Sequence, residues 1–67
     1  MEVREDGAFV HHADHPLLGH QVVDALSGRE GELRAVVVET DGALTAYIRG
    51  RDAREFEVPL SRVQALR

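Results

Sequence analysis

The sequence contains no cysteine, no lysine and no tryptophan, and only three of its 67 residues are aromatic. Without cysteine, the chain forms no disulfide bond and holds no thiolate zinc site, iron–sulfur cluster or cysteine nucleophile. The longest unbroken apolar run, residues 35–38, is far shorter than the roughly 20 residues that a membrane helix needs. The first residues also lack the basic and then apolar pattern of a secretory signal. We therefore expect a cytoplasmic protein that does not enter a membrane.

Charge is distributed unevenly along this acidic chain, whose formal net charge is −4. Residues 1–42 carry a net charge of −6, whereas residues 43–67 carry +2. An acidic chain repels a phosphate backbone, but the later arginines allow a local basic patch. All basic residues are arginine, and alanine, valine, glycine and leucine are abundant, as in proteins encoded by GC-rich bacterial genomes. We therefore expect a bacterial source.

Short runs of β-forming residues alternate with turn residues along most of the chain. Val22-Val23 lies between glycines, and residues 32–39 alternate between polar and apolar before three consecutive valines, which favours strands over helices. Asp41-Gly42 predicts a tight hairpin turn of the primed type, in which both central residues have positive φ. Glu55-Phe56-Glu57-Val58 alternates again, and Pro59 ends that strand. A 3-10 turn and a last short strand follow.

Five short strands in fewer than 70 residues predict an all-β fold, a small five-stranded SH3-like barrel with a 3-10 turn before the last strand. We assign residues 17–67 to the barrel and residues 1–16 to a flexible N-terminal segment. Within that segment residues 8–10 could enter the fold as a strand, and residues 11–16 are predicted to form a polar loop. The predicted interior consists of Val22, Leu33, Val37, Leu44, Ile48, Phe56, Val58 and Val63.

Residues 17–66 resemble a PRC-barrel domain. The resemblance depends on Leu18-Gly19, Val22-Val23-Asp24, the turn glycines, the apolar run 36–38 and the ending Val58-Pro59-Leu60-Ser61-Arg62-Val63. It covers about three quarters of the chain. PRC barrels are typically binding modules in RNA-processing or photosynthetic protein assemblies, so the resemblance implies a binding function.

Residues 20–48 also resemble a KOW motif, in which valine precedes a Gly-x-x-Gly stretch and an apolar strand. The matching residues are Val22-Val23, Gly28-Arg29-Glu30-Gly31 and Leu33. KOW domains typically bind RNA or the proteins of transcription and ribosomal complexes. This chain departs from the motif in having no lysine and an acidic first half.

Four histidines crowd into residues 11–20 together with Asp14. His11, His12 and His15 are candidate metal ligands, because imidazole nitrogen is a common zinc donor. Their spacing does not match a zincin helix, and Pro16 prevents a helix at this position. We favour a solvated histidine-rich loop and predict neither a metal nor a cofactor.

No group of residues in the sequence has the pattern of a catalytic site. Asp24, Glu30, Glu32 and Glu39 fall on loops or outward strand positions, where carboxylates normally face water. Ser27 does not lie in the Gly-x-Ser-x-Gly turn of hydrolases, and Gly28-Arg29-Glu30-Gly31 lacks the length and the lysine of a phosphate-binding loop. We therefore predict that the chain is not an enzyme.

The predicted binding surface is the segment around Tyr47, Arg49, Arg51 and Arg54. Tyrosine and arginine are favoured at the energetic centres of interfaces, and arginine presents a planar group suited to carboxylate or phosphate. A solvated turn paired with Asp52 and Glu55 is the simpler interpretation of the three arginines. Our functional hypothesis is a non-catalytic protein-interaction module, a small accessory or regulatory subunit. The alternative is a KOW-like barrel that binds RNA or a transcription or ribosomal complex, and a homo-oligomer is left open.

Overall fold

The structure is a computed structural model that describes residues 2–3 and 9–66, and the side chains of residues 11–66. Its regular elements are seven strands and one 3-10 turn: β1 (Glu2–Val3), β2 (Phe9–Ala13), β3 (Gln21–Asp24), β4 (Glu30–Val38), β5 (Leu44–Arg49), β6 (Glu55–Pro59), η1 (Leu60–Arg62) and β7 (Val63–Ala65). These described ranges contain no α-helix, and the prediction of an all-β protein with a 3-10 turn before its last strand is confirmed. No helix in them is long and apolar enough to cross a membrane.

Strands β2 to β7 form one antiparallel sheet, and β1 pairs with the start of β2. The long strand β4 is central, because β5 pairs along one of its edges while β2 and β3 share the other edge. Strand β6 continues the sheet beyond β5, and β7 continues it beyond β3.

The predicted closure into a five-stranded barrel is wrong, because the sheet has six strands and is open. Within the described residues, β6 pairs only with β5 and β7 pairs only with β3. Pro59 ends β6 without an amide donor, and η1 then directs the chain away, so that β7 pairs with β3 instead of β6. Strand β2 is the sixth strand of the sheet.

The predicted polar loop at residues 11–16 is only partly a loop. His11, His12 and Ala13 belong to β2 and pair with Val38, Val37 and Val36 of β4. The loop between β2 and β3 therefore begins at Asp14. Residues 4–8, which include part of the possible entering strand, lie outside the described residues. The boundary between residues 1–16 and 17–67 stays a prediction.

The predicted hairpin at Asp41-Gly42 is confirmed, but its turn type is wrong. In this first turn (residues 39–43), Gly42 N–H donates to Glu39 O at 2.9 Å, and Glu39 N–H donates to Ala43 O at 2.8 Å. Gly42 has a φ of +86°, whereas the φ of Asp41 is not positive. These features define a three-residue loop with a bulge, which needs only one left-handed residue, rather than a two-residue primed turn.

A second turn (residues 50–54) joins β5 to β6 with the same backbone pattern. Gly50 N–H donates to Arg54 O at 2.9 Å, and Ala53 N–H donates to Gly50 O at 3.1 Å. Ala53 has a φ of +63° and is the only non-glycine residue with positive φ in the described chain. The two turns therefore lie at opposite ends of β5 and share one geometry.

The core is built around the fully buried side chains of Leu33 and Ile48, which face each other across β4 and β5. Five predicted interior residues are buried: Val22, Leu33, Val37, Ile48 and Val58. Leu44 is exposed, and Phe56 and Val63 are only half-buried at the edge of the core. The prediction missed Val36 and Ala46, which are buried in the central cluster.

A β-bulge at Arg34 explains why Val36 replaces Val37 in the central cluster. Leu33 pairs with Ile48, and Ala35, two residues later, pairs with Tyr47, the immediate neighbour of Ile48 in β5. Arg34 is therefore the additional residue. One additional residue shifts the alternation of side chains by one, and the inward positions change from odd to even numbers. Val37 is buried but lies outside the central cluster.

Candidate functional site

An ion pair between a buried aspartate and a half-buried arginine joins the end of β3 to the end of η1. Arg62 Nε donates to Asp24 Oδ1 at 2.9 Å, and an Arg62 terminal nitrogen donates to Oδ2 at 2.6 Å. The Asp24 side chain is 1% exposed, and Ser27 Oγ also donates to its Oδ2 at 2.6 Å. The hydrogen bonds from Arg62 and Ser27 hold the pKa of Asp24 well below its usual range, although burial acts in the opposite direction. The same contact with Asp24 raises the pKa of Arg62.

Asp24 also fixes the loop between β3 and β4 (residues 25–29). Its Oδ1 accepts a hydrogen bond from Leu26 N–H, and its backbone carbonyl accepts one from Gly28 N–H. Ser27 Oγ, held by Asp24, in turn accepts from Arg29 N–H at 3.2 Å, and Arg29 O accepts from Asp24 N–H at 2.8 Å. Both backbone groups of Arg29 are therefore linked to Asp24, the N–H through the Ser27 hydroxyl and the carbonyl through the Asp24 backbone N–H.

An open cleft of about 430 Å³ lies between this loop and the second turn, and we call it the charged cleft. Its lining residues are Gly28, Arg29, Glu30, Gly50, Arg51, Asp52 and Phe56. The guanidinium carbon of Arg29 lies over the Phe56 ring, 3.8 Å from its centroid, which is a cation–π contact.

The acids of the charged cleft each lie near an arginine of the second turn. Glu30 faces Arg51 at 3.8 Å, and Asp52 faces Arg54 at 4.0 Å while accepting a hydrogen bond from its backbone N–H. These pairs are largely exposed and weak. In the part of the chain that the structure describes, no carboxylate lies within ion-pair distance of Arg29.

Comparison of the chain with protein-family models, with curated proteins and with solved structures gives no match. The resemblances to PRC barrels and to KOW domains therefore stay predictions.

The four residues of the predicted binding surface fall into two groups. Arg51 and Arg54 belong to the second turn and have side chains that are 92% and 85% exposed, and only Arg51 lines the charged cleft. Tyr47 and Arg49 alternate with the buried Ala46 and Ile48, so they lie on the outer face of β5. Tyr47 is half-buried.

Carboxylates surround Arg49 on the outer face. Its neighbours in register are Glu32 on β4 and Glu55 on β6, and the neighbour of Tyr47 on β6 is Glu57. The outer face of β5 is therefore mixed in charge, which reduces the attraction of Arg49 for a distant anion.

The histidine candidates are not brought together as a metal site. His11 and His12 are consecutive in β2, so their side chains point to opposite faces of the sheet. His15 lies beyond the strand, where its Nδ1 accepts a hydrogen bond from Leu17 N–H. Among the described residues, no three histidine, aspartate or glutamate side chains are placed to hold a metal ion.

A second open cleft, of about 520 Å³, lies beside the first turn, and we call it the apolar cleft. Its lining residues are Gly42, Ala43, Leu44, Pro59, Leu60 and Ser61. Leu44, which was predicted to be in the core, is 41% exposed at this cleft.

Sequence reasoning missed Arg29 and the contact between Asp24 and Arg62. The Asp24–Arg62 pair had a signal, because the two residues fall in Val22-Val23-Asp24 and in Ser61-Arg62-Val63, the segments that resemble a PRC barrel. No signal in the sequence pointed to Arg29, because its contact with Phe56 joins a loop and a strand that are distant in sequence.

Proposed function

We propose that the chain is a non-catalytic protein-interaction module, a small accessory or regulatory subunit of a bacterial cytoplasmic assembly. The observation that carries the proposal is the charged cleft, where the Arg29 guanidinium lies over the Phe56 ring with no acidic partner among the described residues. Arginine and aromatic side chains are enriched where interfaces gain most of their binding energy.

The charges of the cleft favour a protein partner over a nucleic acid. Glu30 and Asp52 line the same cleft as Arg29 and Arg51, so a phosphate chain would approach acids and bases in equal number. The whole chain adds a net charge of −4, which repels a polyanion. One face of Phe56 is already covered by Arg29, which leaves less of the ring for stacking on a base.

The proposed interface extends from the charged cleft to the outer face of β5. Arg51 lies at the cleft, Arg54 follows it in the second turn, and β5 ends at Arg49 directly before that turn. Tyr47 adds a half-buried aromatic ring two residues earlier. A cleft with an adjoining ring and several arginines gives a partner both a pocket and a polar rim.

We also propose that the fold is related to SH3-like barrels of the PRC type. The strand order β7-β3-β4-β5-β6, with a 3-10 turn before β7, supports this relation. So does the contact between Asp24 and Arg62, because the two motif segments that carry the resemblance meet in space.

The experiment is affinity capture from a nuclease-treated extract of the native host, with wild type, Arg29→Glu and Arg34→Glu as baits. Arg29→Glu and Arg34→Glu change the net charge equally, but Arg34 lies at the bulge, contacts Glu32 and does not line the charged cleft. We expect a protein that wild type and Arg34→Glu both retain and that Arg29→Glu loses. Arg49→Glu tests whether the outer face of β5 contributes.

Two outcomes would overturn the proposal. Identical retained proteins for all baits would show that the charged cleft does not take part in capture. Capture from an untreated extract that is absent from the nuclease-treated extract would favour the RNA-binding alternative. Sedimentation of the purified chain over a range of concentrations separates a second copy of the chain from a different partner protein.

A further inference from the structure

Among the described residues, Arg29 is the arginine of the charged cleft that has no carboxylate within ion-pair distance. Glu30 lies near Arg51, and Asp52 lies near Arg54. No side-chain hydrogen bond or ion pair of Arg29 occurs among the described residues, and its guanidinium lies over the Phe56 ring. A guanidinium has five N–H donors in one plane, so this side chain retains its full donor capacity beside an open cleft.

Arg29 is also held in place before any ligand arrives. Its N–H donates to Ser27 Oγ and its carbonyl accepts from Asp24 N–H, so both backbone groups are fixed. At the other end of the side chain, the guanidinium lies over the Phe56 ring, with its central carbon 3.8 Å from the ring centroid. A group that is already ordered loses less conformational entropy on binding, which increases the affinity obtained from each contact.

The chemistry of the cleft fits an anion of low charge. A planar carboxylate matches the two parallel N–H groups of a guanidinium. The additional charge of a phosphate would gain little here, because its stronger attraction to Arg29 and Arg51 is offset by stronger repulsion from Glu30 and Asp52, which line the same cleft.

We propose that the charged cleft binds a single carboxylate group of the partner protein through the guanidinium of Arg29, with Arg51 beside it. This inference rests on the proposed function and names the chemical group that the interface recognises. An aspartate or glutamate side chain and a C-terminal carboxylate share this chemistry.

The experiment is an NMR titration of the isotope-labelled full chain at low ionic strength. The probes are three short glycine-rich peptides: one with a central glutamate and blocked ends, one with a free C-terminal carboxylate only, and one with glutamine and blocked ends. We expect the first or the second peptide to shift the amide signals of residues 28–30 and 50–52, with a Kd in roughly the millimolar range. Comparison of these two peptides distinguishes the sources of the carboxylate, and the glutamine peptide should cause no shift.

Variants assign the effect to Arg29. Arg29→Gln should weaken binding roughly tenfold, because a hydrogen bond to a charged group is lost. Arg29→Lys should recover only part of this loss, since an ammonium keeps the charge without the planar pair of donors. Arg34→Gln should bind as wild type does, and dispersed amide signals establish that each variant is folded.

Equal shifts with the carboxylate and glutamine peptides, or equal affinity of wild type and Arg29→Gln, would overturn the inference. Tighter binding of inorganic phosphate or oligouridylate at residues 28–30 would overturn it in favour of a phosphate site. If Arg29→Glu still abolishes protein capture, only the carboxylate assignment has failed. If capture is also unchanged, the proposed function has failed with it.

Discussion

The two turns at the ends of β5 have the same hydrogen bonds but different residues in the left-handed position. In each turn an aspartate carboxylate accepts a hydrogen bond from the N–H two residues later: Asp41 from Ala43 at 3.0 Å, and Asp52 from Arg54 at 3.1 Å. The first turn uses Gly42 at φ +86°, and the second uses Ala53 at φ +63°. The shared aspartate, rather than glycine, is therefore the common determinant of this geometry.

The turn with glycine in the left-handed position and the turn with alanine there lie beside different clefts. The first turn borders the apolar cleft, and the second turn contributes Gly50, Arg51 and Asp52 to the charged cleft. A non-glycine residue in the left-handed region is strained, and such strain tends to collect at functional sites. The comparison therefore agrees with our placement of function at the second turn.

The largest expected effect concerns the ion pair that supports the loop of the charged cleft. Asp24→Asn should lower the melting temperature at neutral pH more than any variant that follows, because it leaves Arg62 without its anionic partner. Since the pKa of Asp24 is lowered from its ordinary value of 3.8, its stabilisation is complete above about pH 4 and is lost as the pH falls further.

The measurement is thermal unfolding of wild type and Asp24→Asn between about pH 6 and pH 2. The difference in melting temperature should narrow as the solution becomes more acidic. A constant difference over this range would contradict the assigned ion pair. Asp41→Asn, which removes one negative charge from an exposed position in the first turn, is the control.

The next effect concerns the close approach of β4 to the end of β5. A Cβ atom at Gly31 would overlap the Arg49 carbonyl oxygen, a backbone atom that cannot move independently. Gly31→Ala should therefore lower the free energy of unfolding by about 1–3 kcal/mol, as overpacking of a core does. Urea unfolding measures the change. Gly50→Ala is the control, since its Cβ would meet nothing closer than the Asp52 side chain at 3.3 Å, and an equal loss in both variants would contradict the steric explanation.

The first turn should respond to the loss of its glycine. Gly42→Ala should lower the free energy of unfolding by about 1 kcal/mol, because an L-residue in the left-handed region is strained by about that amount. Apart from Gly42 and its two chain neighbours, no atom of the described residues lies within 4 Å of the position of the new Cβ, so the loss would report on the backbone alone. The midpoint of urea unfolding measures the loss, and an unchanged midpoint would mean that the first turn tolerates alanine as the second does.

The smallest expected effect is an increase in the free energy of unfolding, caused by a substitution in the second turn. Ala53→Gly removes the left-handed strain but increases the entropy of the unfolded chain, so we expect a net stabilisation of about 0.5 kcal/mol. The midpoint of urea unfolding measures this gain. The double variant Gly42→Ala/Ala53→Gly, which exchanges the left-handed residues of the two turns, is measured in the same way. A loss of stability would show that Ala53 makes a favourable contact that outweighs the strain.

Local chemistry made the hairpins and strands predictable, because Asp41-Gly42 and the alternation at residues 55–58 act within a few residues. The side of β4 that faces the core was harder to predict. A bulge at Arg34 leaves no mark in the sequence, and it moved Val36 inward in place of Val37. Whether the sheet is open or closed also depends on the direction in which η1 leads the chain to β7. That direction is a tertiary property and cannot be predicted from local sequence.

The candidate site was predicted only in part for the same reason. Arg51 could be found from its position in a charged turn, but Arg29 becomes notable only through its contact with Phe56. Phe56 itself was assigned to the interior, and its half-buried position means that Phe56→Ala should cost less than the roughly 3–5 kcal/mol of a fully buried phenylalanine.

The ion pair between Asp24 and Arg62 has a consequence for the order of folding during synthesis. The two residues are 38 positions apart, so the ribosome releases the carboxylate well before its cation. Burial of a carboxylate without its partner is costly, and β3 therefore gains its full stability only after residue 62 has emerged. We expect nascent chains stalled before that point to be sensitive to protease, even though β3, β4, β5 and β6 are already complete in sequence.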